Sequence, residues 1–149
     1  MQSEYDCLKI SNQLCFPLYA CSKELIKQYR EPLQELGLTY TQYLVMMVLW
    51  EFGDVSVREL GEKVMLDSGT LTPLLKRLEK QGLITRHREA SDERVLIISL
   101  TDEGLSLRDR AINVPFIVGR CLKLSQEEAQ TLYDLLYKAL SDIHESDNN

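Results

Sequence analysis

The segment 67–100 constrains the fold most, because its pattern changes from helical to extended at a single glycine. Residues 69–81 carry leucines at helical spacing after a cap residue, Asp67 or Ser68, and Gly82 ends the helix. Two β-rich runs follow, LITRHRE and RVLIISL, joined by the polar loop ASDE. This order predicts a helix followed by a two-stranded hairpin.

A shorter helix is predicted just before this one. Ser56 can cap it, and Glu59 three residues later completes a capping box. Residues 41–52 are apolar almost all round, which predicts a buried helix that Gly53 ends. Two short helices, a tight turn and a hairpin are typical of a winged helix-turn-helix, whose second helix enters the major groove of DNA.

Further helices are predicted on the N-terminal side. Residues 8–30 have helical spacing. Pro17 fits only if the regular helix begins near Cys15 or is kinked there. Pro32 and Gly37 then mark a break or a short second helix.

The C-terminal side completes the predicted order α-α-α-α-β-β-α-α. Thr101 with Gly104 opens a helix that runs to about residue 118, and Ser125 caps the last helix. The predicted class is mostly α (α+β), a winged helix-turn-helix within one domain of residues 1–149. We expect dimerisation helices in residues 1–36 and 101–149, and a DNA-binding lobe in residues 38–100.

The net charge of −6 does not by itself indicate a nucleic-acid partner. Residues 67–94, however, hold six Lys or Arg and five Asp or Glu, a net charge of +1, which leaves −7 elsewhere. Counterion release depends only on the cations that meet phosphates, so a local basic face is enough for DNA binding.

The predicted second helix and hairpin supply the candidate DNA contacts. Small hydroxylated residues in the first turn allow close approach to DNA, and Pro73 is expected within the first few helical positions, where its missing N–H costs little. Arg86 and Arg88 alternate onto one face of a strand, and Asp92 can brace Arg94 for a narrow minor groove. A solvated hairpin with a routine ion pair would explain any one feature, but not the ordered combination. The candidate DNA-binding residues are Ser68, Thr70, Thr72, Lys76, Arg77, Lys80, Arg86, Arg88, Asp92 and Arg94.

Composition and residue spacing argue against a membrane protein, a secreted protein and a metalloprotein. No run of about 18 apolar residues occurs, and the acidic N-terminus MQSEYDCLKI differs from a secretory signal, so we expect a cytoplasmic protein. The cysteines form no CxxC pair and the two histidines lie far apart, so the spacing predicts neither a metal site nor a cofactor. By default the four cysteines are free thiols that pack as small hydrophobes: Cys7, Cys15, Cys21 and Cys121.

The run LDSGTLTPLLKRLEKQGLITRHREASDERVLIISLTDEG resembles the MarR family of repressors, and the resemblance extends over essentially the full chain. It implies a homodimer with interlocking terminal helices and two recognition helices about one turn apart on a pseudo-palindromic double-stranded operator. Most of that family senses small phenolic molecules in a pocket between the dimerisation and DNA-binding regions. A repressor released by such a ligand, with structural cysteines, is therefore one hypothesis.

Cys15 suggests a different signal for the release of DNA, namely oxidation of its thiol. It lies at or near the start of a helix, whose N–H dipoles favour a thiolate, and thiolates attack peroxides to give sulfenic acids. Tyr19, four residues later, shares its face, and a phenol that donates a hydrogen bond would favour the charged sulfur. Tyr29 lies roughly 15 Å beyond Tyr19 along a straight helix, so it can approach Cys15 only from a partner subunit. Tyr40 is a further candidate.

The run QLCFPLYACSKELIKQYREPLQELGLTYTQYLVMMVLWE resembles the organic-hydroperoxide-sensing (OhrR-like) branch of the family. This resemblance implies that Cys15 is oxidised and that Tyr29 and Tyr40 hydrogen-bond it from the opposite subunit. It also implies a resolving role for Cys121 in an intersubunit disulfide, with Cys7 or an external thiol as alternatives. Cys21 is a poor partner, because six helical residues separate it from Cys15 by roughly 9 Å on a different face.

Three hypotheses follow: a repressor that releases DNA when organic hydroperoxide oxidises Cys15, a repressor released by a phenolic ligand, and a thiol peroxidase. The sequence favours the first hypothesis. It predicts no enzyme, because the chain lacks the basic residues near the reactive cysteine, or the CxxC pair, that a thiol peroxidase would need. Oxidation would move the first helix and change the separation of the two DNA-binding heads. A hundredfold loss of affinity requires about 2.7 kcal/mol.

Overall fold

The computed structural model describes residues 4–147 of a chain that divides into two compact units, residues 1–118 and 119–149. The first unit begins with two 3₁₀ turns, and the second contains one long helix. The helices are α1 (Cys15–Gln28), α2 (Arg30–Gln34), α3 (Tyr40–Phe52), α4 (Val57–Val64), α5 (Ser68–Lys80), α6 (Asp102–Ala111), α7 (Val114–Gly119) and α8 (Gln126–Asp147). The strands are β1 (Val55–Ser56), β2 (Ile84–Arg88) and β3 (Leu96–Leu100).

The first regular helix begins at Cys15, which decides between the two predicted alternatives. Pro17 is its third residue, in the first turn, where a missing N–H leaves no helical bond unmade. Upstream, residues 4–14 contain the 3₁₀ turns Glu4–Leu8 and Ile10–Asn12 and no regular α-helix. The predicted short second helix is α2.

Side-chain caps fix the starts of the next three helices. Ser56 and Glu59 form the predicted capping box of α4. Asp67, of the two candidates, caps α5. An unpredicted capping box of Thr39 and Gln42 starts α3. Each cap satisfies N–H groups that the first turn of a helix leaves without partners.

Pro73 lies in the second turn of α5, so the prediction that it lies in the first few positions was wrong. It has no N–H to donate to the Gly69 carbonyl, four residues back. The helix nevertheless continues, because its apolar face is buried in the core, as predicted. That face consists of Leu71, Leu74, Leu75 and Leu78.

A three-stranded antiparallel sheet of order β1-β3-β2 packs against these helices. The predicted hairpin is β2–β3, in register from Ile84 opposite Leu100 to Arg88 opposite Leu96. We call residues 84–100 the wing. Strand β1 was not predicted, because two residues are too short to show alternation.

The helix predicted from Thr101 to about residue 118 is two helices, α6 and α7. Pro115 explains the break, because it has no N–H to bond the carbonyl of Ala111, where α6 ends. Near the start of α6, Gly104 lies so close to the residue before β2 that an added Cβ would clash with the Leu83 carbonyl oxygen.

One hydrophobic core joins α3, α4, α5 and the sheet. Its fully buried side chains include Val45, Met46, Leu49, Leu60 and Ile98. Burying an aliphatic side chain of this size contributes about 1.5–3 kcal/mol. The core therefore holds α5 and the wing, which carry the candidate DNA contacts, on one rigid scaffold.

Candidate DNA interface and thiol site

The first turn of α5 presents exposed hydroxyl groups, and the helix itself already uses two of their protons. Thr70 Oγ1 donates to Asp67 Oδ2 at 3.0 Å, and Thr72 Oγ1 donates to the Ser68 carbonyl at 2.7 Å. Asp67 Oδ1 also accepts from the Thr70 N–H at 2.9 Å, and these bonds lower the pKa of that carboxyl. The two threonine oxygens are therefore left as acceptors, which suit the amino groups of base edges better than phosphates.

The basic residues of α5 lie on its solvent side. Lys76, Arg77 and Lys80 are exposed, and none of them makes an ion pair within residues 4–147. Exposed cations without acidic partners are available to phosphate groups. These three candidate DNA contacts are thus accessible in the structure.

The tip of the wing holds an ordered arginine. Arg94 Nε and Nη2 donate to the two carboxylate oxygens of Asp92 at 3.0 and 3.1 Å, and the Arg94 N–H also donates to Oδ1. These bonds lower the pKa of Asp92 and raise that of Arg94. The Arg94 side chain remains 90% exposed. Asp92 therefore braces the guanidinium in the predicted way while leaving it accessible.

The two arginines of strand β2 differ in their surroundings. Arg86 is held by Glu79 of α5, with Nη2 and Nε at 2.6 and 2.9 Å from one carboxylate oxygen, and this bond lowers the pKa of Glu79. Arg88 is exposed and donates to the Arg94 carbonyl at 3.4 Å. Arg86 therefore links the wing to the recognition helix α5. No local sequence pattern predicts the Glu79 partner, which stands seven residues before Arg86.

The Cys15 thiol is exposed in the first turn of α1. Leu14 at the N-cap position makes no side-chain cap, and the first turn holds no acidic residue. The N–H groups of that turn are thus available to stabilise negative charge nearby. Within the described part of the chain, no hydrogen bond joins Tyr19 to the Cys15 sulfur. The exposed Tyr19 ring lies instead 5.7 Å from Lys23 Nζ.

The other two candidate tyrosines lie together in an aromatic cluster. The ring centroids of Tyr29 and Tyr40 are 4.8 Å apart, and Tyr43 and Trp50 continue the cluster at 5.9 and 6.2 Å. Burial raises the pKa of Tyr29 and of Tyr40, and it raises that of Tyr43 to about 12. These phenols therefore stay protonated near neutral pH and can donate hydrogen bonds.

A cavity of about 470 Å³ opens beside Tyr29 and Tyr40. It lies between the end of α1, helix α2 and the start of α3. We call it the tyrosine cavity, and its lining includes Ile26, Leu33, Leu38 and Thr39. It brings together two residues that stand eleven positions apart in the sequence.

The other three cysteines are exposed like Cys15, so the default expectation that the cysteines pack as small hydrophobes is wrong for this chain. Cys7 lies in the 3₁₀ turn Glu4–Leu8, and Cys21 lies on α1 with Cys15. Cys121 belongs to the second unit, in the turn that precedes α8. Cys15 and Cys121 thus belong to different units, and their pairing stays a prediction.

Several helices expose large apolar side chains. No residue of α1 is buried, and Leu14 and Tyr19 are 79% and 61% exposed. In the second unit, α8 likewise exposes Tyr133, Leu135, Tyr137 and Ile143. Contiguous exposed apolar faces are typical of protein interfaces.

Among residues 4–147, no helix combines the length and apolar character needed to span a bilayer. The same residues contain no cluster of three or more His, Cys, Asp or Glu side chains arranged to bind a metal ion.

Comparison with known proteins identifies the family. A family model described as transcriptional regulator SarA/Rot matches residues 24–110. The chain is 46% identical over 145 residues to the organic hydroperoxide resistance transcriptional regulator of Bacillus subtilis (strain 168), covering 97% of this chain and 99% of that protein.

Solved structures of AbfR from Staphylococcus epidermidis agree. Reduced AbfR bound to DNA matches with a TM-score of 0.77 at 36% identity, over 94% of this chain and 97% of that one. Disulfide-formed AbfR matches with a TM-score of 0.66 at 35% identity, over 94% and 96%. The chain therefore belongs to the SarA/Rot family of MarR-like winged-helix transcriptional regulators, which confirms the resemblance seen in the sequence.

Proposed function

We propose that this regulator is a homodimeric repressor that releases operator DNA when an organic hydroperoxide oxidises Cys15. The observation that carries the proposal is the exposed Cys15 thiol at the uncapped start of α1. The likeness to an organic hydroperoxide resistance regulator supports this input over a phenolic ligand. The assignment of this regulator as a repressor, and not as an activator, rests on the resemblance to MarR repressors.

DNA binding is assigned to α5 and the wing. The acceptor oxygens of Thr70 and Thr72, together with Ser68, face base edges in the major groove. Lys76, Arg77 and Lys80 contact phosphates, and Arg94, braced by Asp92, enters the minor groove. Arg88 adds a backbone contact, whereas Arg86 acts through its bond to Glu79. The match to a regulator structure with bound DNA supports this assignment.

The homodimer is assigned to the terminal helices. The exposed apolar residues of α1 and of α8 supply faces that a second copy of the chain would cover. Dimerisation places two recognition helices on the two halves of a pseudo-palindromic operator. It also allows Tyr29 and Tyr40 of one subunit to approach Cys15 of the other, which they cannot do within one chain.

The chemistry begins with attack of the Cys15 thiolate on one peroxide oxygen. The O–O bond breaks, the organic part leaves as an alcohol after taking up a proton, and the sulfur becomes a sulfenic acid. A second thiol then attacks that sulfur and releases water, which leaves a disulfide. We assign this thiol to Cys121 of the partner subunit, and the match to a disulfide form of AbfR supports the assignment.

In the reduced dimer, protonated Tyr29 and Tyr40 donate hydrogen bonds to the Cys15 sulfur, with Tyr19 contributing from the same helix. Oxidation removes these bonds and moves α1, so the two recognition helices leave operator spacing. Each oxidation consumes the thiol, and within residues 4–147 no CxxC pair regenerates it. We therefore propose a sensor without enzymatic turnover.

The test measures DNA affinity by fluorescence anisotropy, with a duplex selected from a random library by the reduced protein. Cumene hydroperoxide is the oxidant. We expect the wild type to lose about a hundredfold in affinity, and Cys15→Ser to bind DNA normally but not respond. Cys21→Ser, a change at another exposed thiol of α1, is the matched control and should respond like wild type.

Non-reducing gels complete the test. Oxidised wild type should run as a covalent dimer, and Cys121→Ser should not. A wild type that retains its affinity after oxidation contradicts the sensing role. Dimer formation in Cys121→Ser contradicts the resolving role alone.

A further inference from the structure

Two glutamine side chains connect the end of the recognition helix to the tyrosine cavity. Gln42 is 5% exposed, and its Oε1 accepts from the Thr39 N–H at 2.8 Å. Its Nε2 donates to Gln81 Oε1 at 3.3 Å. Gln81 Nε2 in turn donates to the Gly37 carbonyl at 2.9 Å. We call these three hydrogen bonds the glutamine relay.

The two ends of the relay belong to the two parts that the proposed switch must couple. Gln81 is the C-cap residue of α5, so it moves with the recognition helix. Gly37 and Thr39 lie in the connection between α2 and α3 and line the tyrosine cavity with Tyr29 and Tyr40. A shift of the tyrosines that displaces this connection therefore reaches the end of α5 directly.

The relay resists partial rupture because each amide uses both its donor and its acceptor. Loss of the Gln42–Gln81 bond leaves the Gln42 Nε2 group without that acceptor inside the core, which is unfavourable for a polar group so deeply buried. The bond from the Thr39 N–H to Gln42 Oε1 is one half of the capping box, and in the other half the Gln42 backbone N–H donates to Thr39 Oγ1 at 3.3 Å. Together they fix the orientation of the Gln42 side chain. The connection and the helix end therefore move together.

From this geometry we infer that Gln81 is a positioning residue that transmits the state of the tyrosine cavity to the recognition helix through its bonds to Gln42 and to the Gly37 carbonyl. The inference rests on the proposed function, because it names the route by which oxidation reaches the DNA-binding surface. Coupling between two sites requires an element that both sites bias, and the relay joins the two elements concerned.

Gln81→Met removes both Gln81 hydrogen bonds while keeping the length of the side chain. We expect reduced Gln81→Met to bind the selected duplex within about twofold of wild type. The ratio of oxidised to reduced dissociation constants should fall by at least about fivefold, the lower range for allosteric coupling. A purely structural role would lower the melting temperature without changing this ratio.

Arg110→Met is the matched control. Arg110 Nη2 donates to the Glu35 carbonyl at 2.9 Å, so it anchors the same connection to α6 and not to α5. This variant should keep the wild-type ratio. An equal fall in Arg110→Met would overturn the inference, because general loosening of the connection would then be sufficient. A wild-type ratio in Gln81→Met would overturn it as well.

Hydrogen exchange tests the relay without any oxidant. A failure of the relay inference can therefore be distinguished from a failure of the proposed sensing role. Because coupling is reciprocal, binding of the duplex to reduced protein should slow amide exchange in residues 35–41. We expect this slowing in wild type and Arg110→Met, and its loss in Gln81→Met. Slowing that persists in Gln81→Met overturns the inference even if peroxide proves to have no effect on DNA binding.

Discussion

Replacement of Asp92 by asparagine tests whether the wing tip acts through an ordered arginine or through its charge alone. Both carboxylate oxygens of Asp92 hold the Arg94 guanidinium, which is otherwise exposed to solvent. Asparagine has the same shape but only one acceptor oxygen, so one of the two guanidinium bonds is lost.

The two effects of Asp92→Asn on DNA affinity have opposite signs. Ordering a long side chain at an interface costs about 0.5–1.5 kcal/mol, and two wings in the proposed dimer double this to about 1–3 kcal/mol. Removal of one negative charge per wing favours DNA, but salt screens that gain beyond about 10 Å at 0.1 M. Because a single bond to Arg94 remains, we expect a net weakening of about tenfold, which corresponds to about 1.4 kcal/mol and lies in the lower half of that range.

Fluorescence anisotropy with the selected duplex at about 0.1 M salt measures this change. Glu93→Gln is the matched control, because it removes an adjacent exposed negative charge that makes no ion pair with Arg94. The control should bind as tightly as wild type or more tightly. Equal affinities for Asp92→Asn and Glu93→Gln would refute the bracing mechanism.

Three further predictions test other parts of the structure. Gly104→Ala places a Cβ against the Leu83 carbonyl oxygen. Urea denaturation should therefore show a free energy of unfolding lower by about 1–3 kcal/mol. An unfolding free energy equal to that of the wild type would contradict that contact. Arg86→Met should weaken DNA binding without changing the slope of log affinity against log salt concentration, because Arg86 is paired with Glu79. Arg94→Ala should reduce that slope, because it removes one cation per wing from the minor groove, and equal slopes for the two variants would contradict their distinct roles. Burial raises the pKa of Tyr43 to about 12, so the unfolded chain releases this proton first. Stability should therefore fall between about pH 10 and 12 in wild type and less so in Tyr43→Phe, as urea titrations at each pH would show.

Local signals explain why the sequence predicted the DNA-binding elements well. The capping box of α4, the cap of α5, the turn at Gly82 and the β-rich runs each act over a few residues. Neighbouring side chains alone decide such features. The prediction that Asp92 braces Arg94 was possible for the same reason, since the two residues stand only two positions apart.

Features that depend on distant residues were not predictable in this way. The Gln42–Gln81 bond joins residues 39 positions apart, and the Arg86–Glu79 pair forms only once the wing folds back on α5. Strand β1 is defined by its partner β3 and not by its own two residues. Tertiary packing of the leucine face likewise outweighs the local cost of a proline in the second turn of α5.

The most direct test of the central claim compares DNA release with modification of Cys15 in the same samples. Reduced protein on the selected duplex is titrated with cumene hydroperoxide, and each sample is split between anisotropy and mass spectrometry of the peptide that contains Cys15. We predict that the fraction of DNA released follows the fraction of Cys15 oxidised throughout the titration. Release while Cys15 remains a thiol, or full oxidation of Cys15 with the DNA still bound, would contradict the proposed switch.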